Sequence, residues 1–245
     1  MPVSAKLHQN VAILIIGNEV LSGRTREANA YLAAQKMFDK GCKVSEIAIV
    51  PDIQEDIVHT LNRLRHRYDA VITSGGIGPT HDDITMDCIA ESFHVSLLEH
   101  EATIAKLHER YGDDLLSDRR RMARLPEGAE PILCEASFMP GAHIGNVYVL
   151  AGVPSIFASQ LDTFLKDFGG IPYTREEVDV QVSESIFAKA LADIQQQFPL
   201  VEVGSYPKFC GNKPCGKICL SSQNPEQLSN AVEAVKKMLQ LIPKN

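Results

Sequence analysis

Val11-Ala12-Ile13-Leu14-Ile15-Ile16 contains no polar side chain and stops at Gly17. Successive side chains of a strand point to opposite faces, so an unbroken apolar run needs cover on both sides. A run this short and rich in β-branched residues is the signature of a buried parallel strand. Parallel strands are joined by crossovers, usually helices, that lie on the faces of the sheet. The first six residues of this pattern therefore point to an α/β protein.

The rest of the chain alternates accordingly. Residues 28–40 carry Tyr31, Leu32, Met37 and Phe38 at helical spacing and end at Gly41. A strand is expected over 43–50, an amphipathic helix over 53–67 and a short apolar strand over 70–73. Helical patterns follow at 85–93 and 99–111. Residues 112–145 are rich in turns and charges, with a short helix expected at 117–125. A strand at 147–150 is closed by Gly152 and Pro154, and a helix follows over 155–168. Repeated β-α-β units favour a mostly parallel sheet covered on both faces.

Gly169-Gly170-Ile171-Pro172 marks a boundary. Beyond it the pattern reads strand (177–182), helix (184–198), strand (201–206), strand (216–221) and helix (225–241). That order suits a small α+β subdomain. The expected division is 1–170 and 171–245.

The net charge of −7 argues against a surface that coats nucleic acid. The N-terminus lacks the apolar core and cleavage site of a signal peptide, and no apolar run is long enough to span a bilayer. No membrane association is expected, and a cytoplasmic location is. The six cysteines, at 42, 88, 134, 210, 215 and 219, are then expected to be reduced thiols. Cys210, Cys215 and Cys219 lack the paired spacing of a zinc site.

The chemistry concentrates in Ser74-Gly75-Gly76-Ile77-Gly78-Pro79-Thr80-His81-Asp82-Asp83, which leaves the third strand. Ligands of open α/β sheets bind beyond the carboxyl ends of the strands. Glycines let backbone N–H groups approach an anion closely, and the helix expected after the loop adds free N–H groups and a positive dipole end. Thr73, Ser74 and Thr80 add hydroxyl donors. The same glycines also suit a plain strand-to-helix turn, with Asp82 or Asp83 capping the helix. Adjacent aspartates beside a phosphate favour a cation between them, such as Mg²⁺. Asp83 is the first candidate ligand or acid/base group and Asp82 the second. Glu19 could add a carboxylate from the loop after the first strand. His81 could meet a phosphate or a metal, or pack within the loop.

Ile15-Ile16-Gly17-Asn18-Glu19-Val20-Leu21-Ser22-Gly23, followed by Asn29, resembles the opening of the MoaB/Mog-type molybdopterin-binding domain. The loop through Ile84-Thr85 is similar to that of the CinA N-terminal module and of the molybdopterin-binding-like domain of FAD synthases. Leu125-Pro126-Glu127-Gly128-Ala129, Pro140-Gly141 and Gly152-Val153-Pro154 extend the resemblance, and Gly204-Ser205-Tyr206-Pro207 resembles the tail subdomain of the FAD-synthase branch. The resemblance implies a three-layer MoaB/Mog-like core with a mostly parallel sheet, usually assembled as a homo-oligomer, and a small C-terminal α+β subdomain. It implies roles for Gly17, Asn18, Glu19, Ser74, Gly75, Gly76, Gly78 and Thr80 in ligand binding. Asp82 and Asp83 would be catalytic, and with Glu19 they would hold a divalent metal (Mg²⁺, Mn²⁺ or Co²⁺).

Two kinds of ligand follow from the resemblance: a pterin such as molybdopterin, or a nucleotide diphosphate such as ADP-ribose or FAD. Three functions follow as well: metal-dependent hydrolysis of the diphosphate, binding without turnover, and Mog-like adenylyl transfer to molybdopterin. One segment departs from the family. Relatives carry Pro-Gly-Pro-Pro or Pro-Gly-Ile-Pro with a Glu close behind. This chain reads Ala151-Gly152-Val153-Pro154-Ser155, with no acidic residue until Asp162. Arg119, Arg120, Arg121 and Arg124 form either a solvated charged face or the wall of an anion pocket.

Overall fold

The computed structural model describes residues 7–112, 117–211 and 213–242. Two compact units divide at Gly170 and Ile171. The first begins with β1 (Asn10–Ile16), α1 (Asn18–Leu21), α2 (Asn29–Asp39), β2 (Lys43–Val50) and α3 (Gln54–Arg67). Next come β3 (Ala70–Ser74), α4 (Thr85–Phe93), β4 (Leu97–Glu99), α5 (Glu101–Tyr111) and α6 (Ser117–Arg121). It ends with β5 (Arg124–Pro126), β6 (Glu130–Ile132), β7 (Gly141–Ile144), β8 (Val147–Leu150), α7 (Pro154–Phe164) and a 3-10 turn, Leu165–Asp167.

Six strands form one sheet in the order β2-β1-β3-β8-β7-β6. The first four run parallel, and β8, β7 and β6 form an antiparallel edge. The unbroken apolar run of β1 now has its reason. Val11, Ile13 and Ile15 enter one core with Ala33 and Met37 of α2 and Phe157 and Leu161 of α7. Ala12, Leu14 and Ile16 enter the other with Ile57, Leu61 and Leu64 of α3 and Ile89 of α4. Three layers result, and each fully buried Leu or Ile contributes roughly 1.5–3 kcal/mol over its exposed state.

The structure corrects the expected helix at 117–125. That helix stops at Arg121, and Arg124–Pro126 pairs antiparallel with Leu97–Glu99. Pro126 disfavours helical geometry at Leu125, and pairing puts the Leu125 side chain in the core. Glu99 accordingly belongs to β4, and α5 begins at Glu101. The strands at 130–132 and 141–144 lie in the stretch read as turns. They are only three and four residues long, too short for their periodicity to register.

The second unit is β9 (Thr174–Val180), α8 (Glu184–Gln197), β10 (Glu202–Cys210), β11 (Lys213–Ser222) and α9 (Pro225–Gln240). Its antiparallel sheet runs β10-β11-β9 and packs Ile218 and Leu220 against Phe187, Leu228 and Val235. The expectation of six free thiols is corrected here: Cys210 and Cys215 form a disulfide. Cys210 pairs with Lys213 and Cys215 with Lys208, so the two cysteines are diagonal neighbours at the end of one hairpin. Their Cα atoms are 5.8 Å apart, within bonding reach. Among the described residues, no helix is long and apolar enough to cross a membrane.

Three strand ends meet at one point. Gly75 has φ +105°, and a Cβ on it would lie 2.2 Å from the Ile16 carbonyl oxygen. Gly152 packs so closely that its own Cβ would lie 3.2 Å from the Gly75 Cα. Gly75→Ala is expected to cost about 3 kcal/mol or more, from backbone strain and displacement of β1; chemical denaturation measures it, and an unchanged midpoint would refute the packing argument. A second expectation concerns thiols. Burial pushes the Cys88 thiol up to about 12 and raises Cys42 as well. Both are buried, whereas Cys134 is partly exposed. Iodoacetamide at pH 8 should label Cys134 in the native protein and reach Cys42 and Cys88 only after unfolding, as read by peptide mass spectrometry.

Candidate functional site

Gly17, Gly75 and Ala151 each follow directly on the carboxyl end of a parallel strand, β1, β3 and β8. Gly75 N–H donates to the Leu150 carbonyl at 3.2 Å, and Gly17 N–H to the Val50 carbonyl at 3.1 Å. The loop after β3 is thereby fixed at its root between its neighbours. At its far end Thr85, the first residue of α4, is fully buried. Its hydroxyl donates to the Gly75 carbonyl at 2.9 Å, and its N–H donates to the Gly76 carbonyl at 2.9 Å. A Cβ on Gly76, at φ +67°, would strike that hydroxyl at 2.2 Å. Gly76 is therefore a geometric requirement of the Thr85 clamp.

Beyond the clamp the loop offers donors. Among the described residues, the N–H groups of Gly76, Ile77 and Gly78 take no protein acceptor. They precede a nine-residue helix whose dipole is positive at this end. Such a set can receive an anion.

The two aspartates fold back on Thr80. Asp83 Oδ2 accepts from the Thr80 N–H at 2.8 Å and lies 2.5 Å from Thr80 Oγ1. Asp82 Oδ1 lies 2.6 Å from the same hydroxyl. A hydroxyl carries one proton and can donate to only one of them. The other approach sets a carboxylate oxygen against an oxygen lone pair, which a cation would relieve. Hydrogen bonding to Thr80 holds the Asp82 carboxyl below the usual range, so it stays ionised into acid. The Asp83 carboxylate needs Gly78 bare, since a Cβ there would sit 2.6 Å from Oδ2. This pair could hold a hard cation, which takes one or two carboxylates and completes its shell with phosphate and water oxygens.

Glu19 is not brought into that pair. Its carboxylate lies over Gly17, where a Cβ would meet Oε1 at 2.5 Å. Among the described residues no three His, Cys, Asp or Glu side chains gather to hold a metal. Asn18 is exposed and donates its backbone N–H to Asp52 at 2.8 Å. His81 is almost wholly exposed, 4.0 Å from Asp82, and does not pack within the loop.

Ser74 serves structure more than ligand. Buried Asn29 donates to Ser74 Oγ at 2.9 Å and to the Gly152 carbonyl at 2.8 Å, and Ser74 Oγ donates to the Ala151 carbonyl at 3.3 Å. Gln160 of α7 accepts from the Ala151 N–H at 2.9 Å. This buried network fixes the segment that departs from the family pattern. Sequence reading passed over Thr85 and Gln160. A buried Gln on an apolar helix face was the one available signal for the latter.

The four arginines separate by role. Arg119 lies 4.1 Å over the Tyr111 ring, and Arg120 grips Glu99 through two bonds of 3.0 and 2.7 Å. Arg121 reaches the loop itself, with Nη1 3.3 Å from the Thr80 carbonyl. Arg121 and Arg124 both approach Asp87 Oδ2, at 3.3 and 3.4 Å.

Comparison with known proteins agrees with this architecture. Residues 12–170 match the family described as a probable molybdopterin binding domain, and residues 172–243 match the middle domain of FAD synthase. A protein of Pyrobaculum calidifontis is 32% identical over 94% of this chain and 94% of its own length. A CinA-like protein of Myxococcus xanthus is 35% identical over 62% of this chain and 38% of its own length. The crystal structure of CinA from Thermoplasma acidophilum, at 31% identity, superposes with a TM-score of 0.61 over 65% of this chain and 98% of that one. The chain belongs to the molybdopterin-binding-domain family in its CinA-like form, joined to a FAD-synthase middle domain.

Proposed function

We propose that this protein is a divalent-cation-dependent nucleotide diphosphatase. It takes ADP-ribose- or FAD-like substrates on residues 74–83 and releases AMP. The observation that carries the proposal is the convergence of Asp82 and Asp83 on one hydroxyl, beside unpaired N–H groups. A purely anion-binding loop gains nothing from two carboxylates at its rim, because they repel the anion. With a cation between them the repulsion becomes attraction, and a phosphate can bridge loop and cation.

In this reading the N–H groups of Gly76, Ile77 and Gly78 orient one phosphate. Asp82 and Asp83 hold Mg²⁺, Mn²⁺ or Co²⁺, which when bound polarises a phosphoryl oxygen and offsets developing charge. Thr80 positions both carboxylates. Asp83, held by the Thr80 N–H, would also accept a proton from the attacking water. The matched family and the FAD-synthase segment both concern ligands of this size, a pterin or a flavin nucleotide.

A second reading is a pterin- or nucleotide-binding module without turnover. The segment after β8 favours it: the Glu expected close behind the matching motif is absent, and the carbonyls of Ala151 and Gly152 are already tied to Ser74 and Asn29. Adenylyl transfer to molybdopterin is a third outcome, distinguished by its need for ATP and molybdopterin.

The test is AMP release from ADP-ribose, FAD and ATP, each with Mg²⁺, Mn²⁺ or Co²⁺. Asp83→Asn keeps an acceptor for the Thr80 N–H but loses the charge. It should lower metal-dependent AMP formation by about 100-fold or more with little change in thermal midpoint. Absence of AMP under every condition, with ligand still bound, would leave the binding module. A pH series adds a separate check. Thr80→Val removes the donor that depresses Asp82, so Asp82 should protonate at higher pH and the acid limb of activity should move upward.

A further inference from the structure

We propose that Arg121 and Arg124 form the subsite for the second phosphate of a diphosphate ligand whose first phosphate lies on residues 75–80. This rests on the nucleotide-diphosphate reading and gives it a basis for choosing diphosphates over monophosphates.

Position comes first. Arg121 Nη1 is 3.3 Å from the carbonyl oxygen of Thr80, the residue that gathers Asp82 and Asp83. The guanidinium therefore borders the loop. It also lines a cavity of about 540 Å³ together with Arg120, Arg124, Asp87, Glu99 and Asp118.

Unfinished bonding comes second. Charge-assisted pairs close to about 2.7–2.9 Å and are often bidentate for arginine. Arg120 does this with Glu99. Arg121 and Arg124 instead approach the same single oxygen, Asp87 Oδ2, at 3.3 and 3.4 Å. Arg124 Nε is buried and has no hydrogen-bond acceptor among the described residues. A buried donor without an acceptor is costly, and native structures rarely leave one without a reason. A phosphate group supplies several acceptor oxygens, two of which a planar guanidinium fork can take at once.

Electrostatics comes third. The loop also presents the two aspartates around the Thr80 hydroxyl, so a diphosphate on it is repelled by them until a cation arrives. The cavity sets Asp87, Glu99 and Asp118 against Arg120, Arg121 and Arg124, so a second phosphate is held there by the guanidinium donors that Asp87 leaves incompletely bonded, not by net positive charge. Asp87, in the first turn of α4, loosely tethers both guanidinium groups and keeps them oriented before ligand arrives.

The experiment is calorimetric binding of AMP and of ADP-ribose, the latter as its non-hydrolysable α,β-methylene analogue, to the full chain with Mg²⁺, using Arg121→Ala, Arg124→Ala, Arg121→Lys and Arg119→Ala. Each alanine variant at 121 or 124 should weaken ADP-ribose binding about tenfold or more and leave AMP within about twofold. Arg121→Lys keeps the charge and the fold but not the fork, and should recover only part of the affinity. Arg119→Ala, whose guanidinium stacks on Tyr111, should change neither ligand. Equal losses for both ligands, or no loss for either, overturn the subsite. Because binding is read without turnover, a wild-type chain that binds ADP-ribose in preference to AMP but releases no AMP overturns the hydrolase and keeps the subsite. A wild-type chain that binds neither overturns both.

Discussion

The close approach of Gly75 to the end of β1 sets the rest of the site. No side chain fits between that Cα and the Ile16 carbonyl, and Gly152 presses on it from the neighbouring strand end. Three parallel strands can therefore deliver their loops to one spot. Everything that follows depends on that convergence: Thr85 reaching back to the Gly75 carbonyl, Asn29 bridging Ser74 and Gly152, and the exposed N–H groups beyond. The three-layer core supplies the rigidity, since alternate side chains of β1 are locked into different hydrophobic layers.

On that frame the proposed function gives the loop a conflict between anion and carboxylate to resolve. Its root is anchored entirely by backbone and buried polar groups, which leaves its tip free to carry charge. The tip places two carboxylates around one hydroxyl on one side and a loosely tied arginine on the other. Neither feature stabilises the fold much, because both lie at the partly exposed surface. Their arrangement makes more sense as preparation for a ligand than as structure.

Much of this was legible in the sequence. The apolar run at 11–16 announced the parallel sheet, and residues 147–150 and 85–93 fell where the strand and helix lie. The Gly-rich loop stood out because its aspartates add to the glycines something that a plain strand-to-helix turn does not require. The three-residue strands at 97–99, 124–126 and 130–132 did not, because tertiary pairing makes them and three residues carry no period. Glu19 shows the opposite failure. Sequence proximity to a loop suggested a ligand, but α1 turns its carboxylate back over Gly17. The Cys210–Cys215 pair was missed because compartment reasoning concerns the average thiol, whereas hairpin register is a local fact.

The departure at residues 151–155 is best weighed by charge. A carboxylate added near the loop would add to the repulsion that the proposed cation must overcome. Here the segment contributes main-chain carbonyls already occupied by Asn29 and Ser74, and its Ala151 N–H is spent on Gln160. It thus closes the floor of the site without adding charge. In the proposed function, a site with fewer carboxylates would need less from its cation and would leave more of the anion's affinity to arginine and backbone donors. The same substitution that weakens a case for metal tightly held by protein alone therefore strengthens one for a cation that arrives with its phosphate, since Mg²⁺ commonly uses one or two carboxylates plus substrate oxygens.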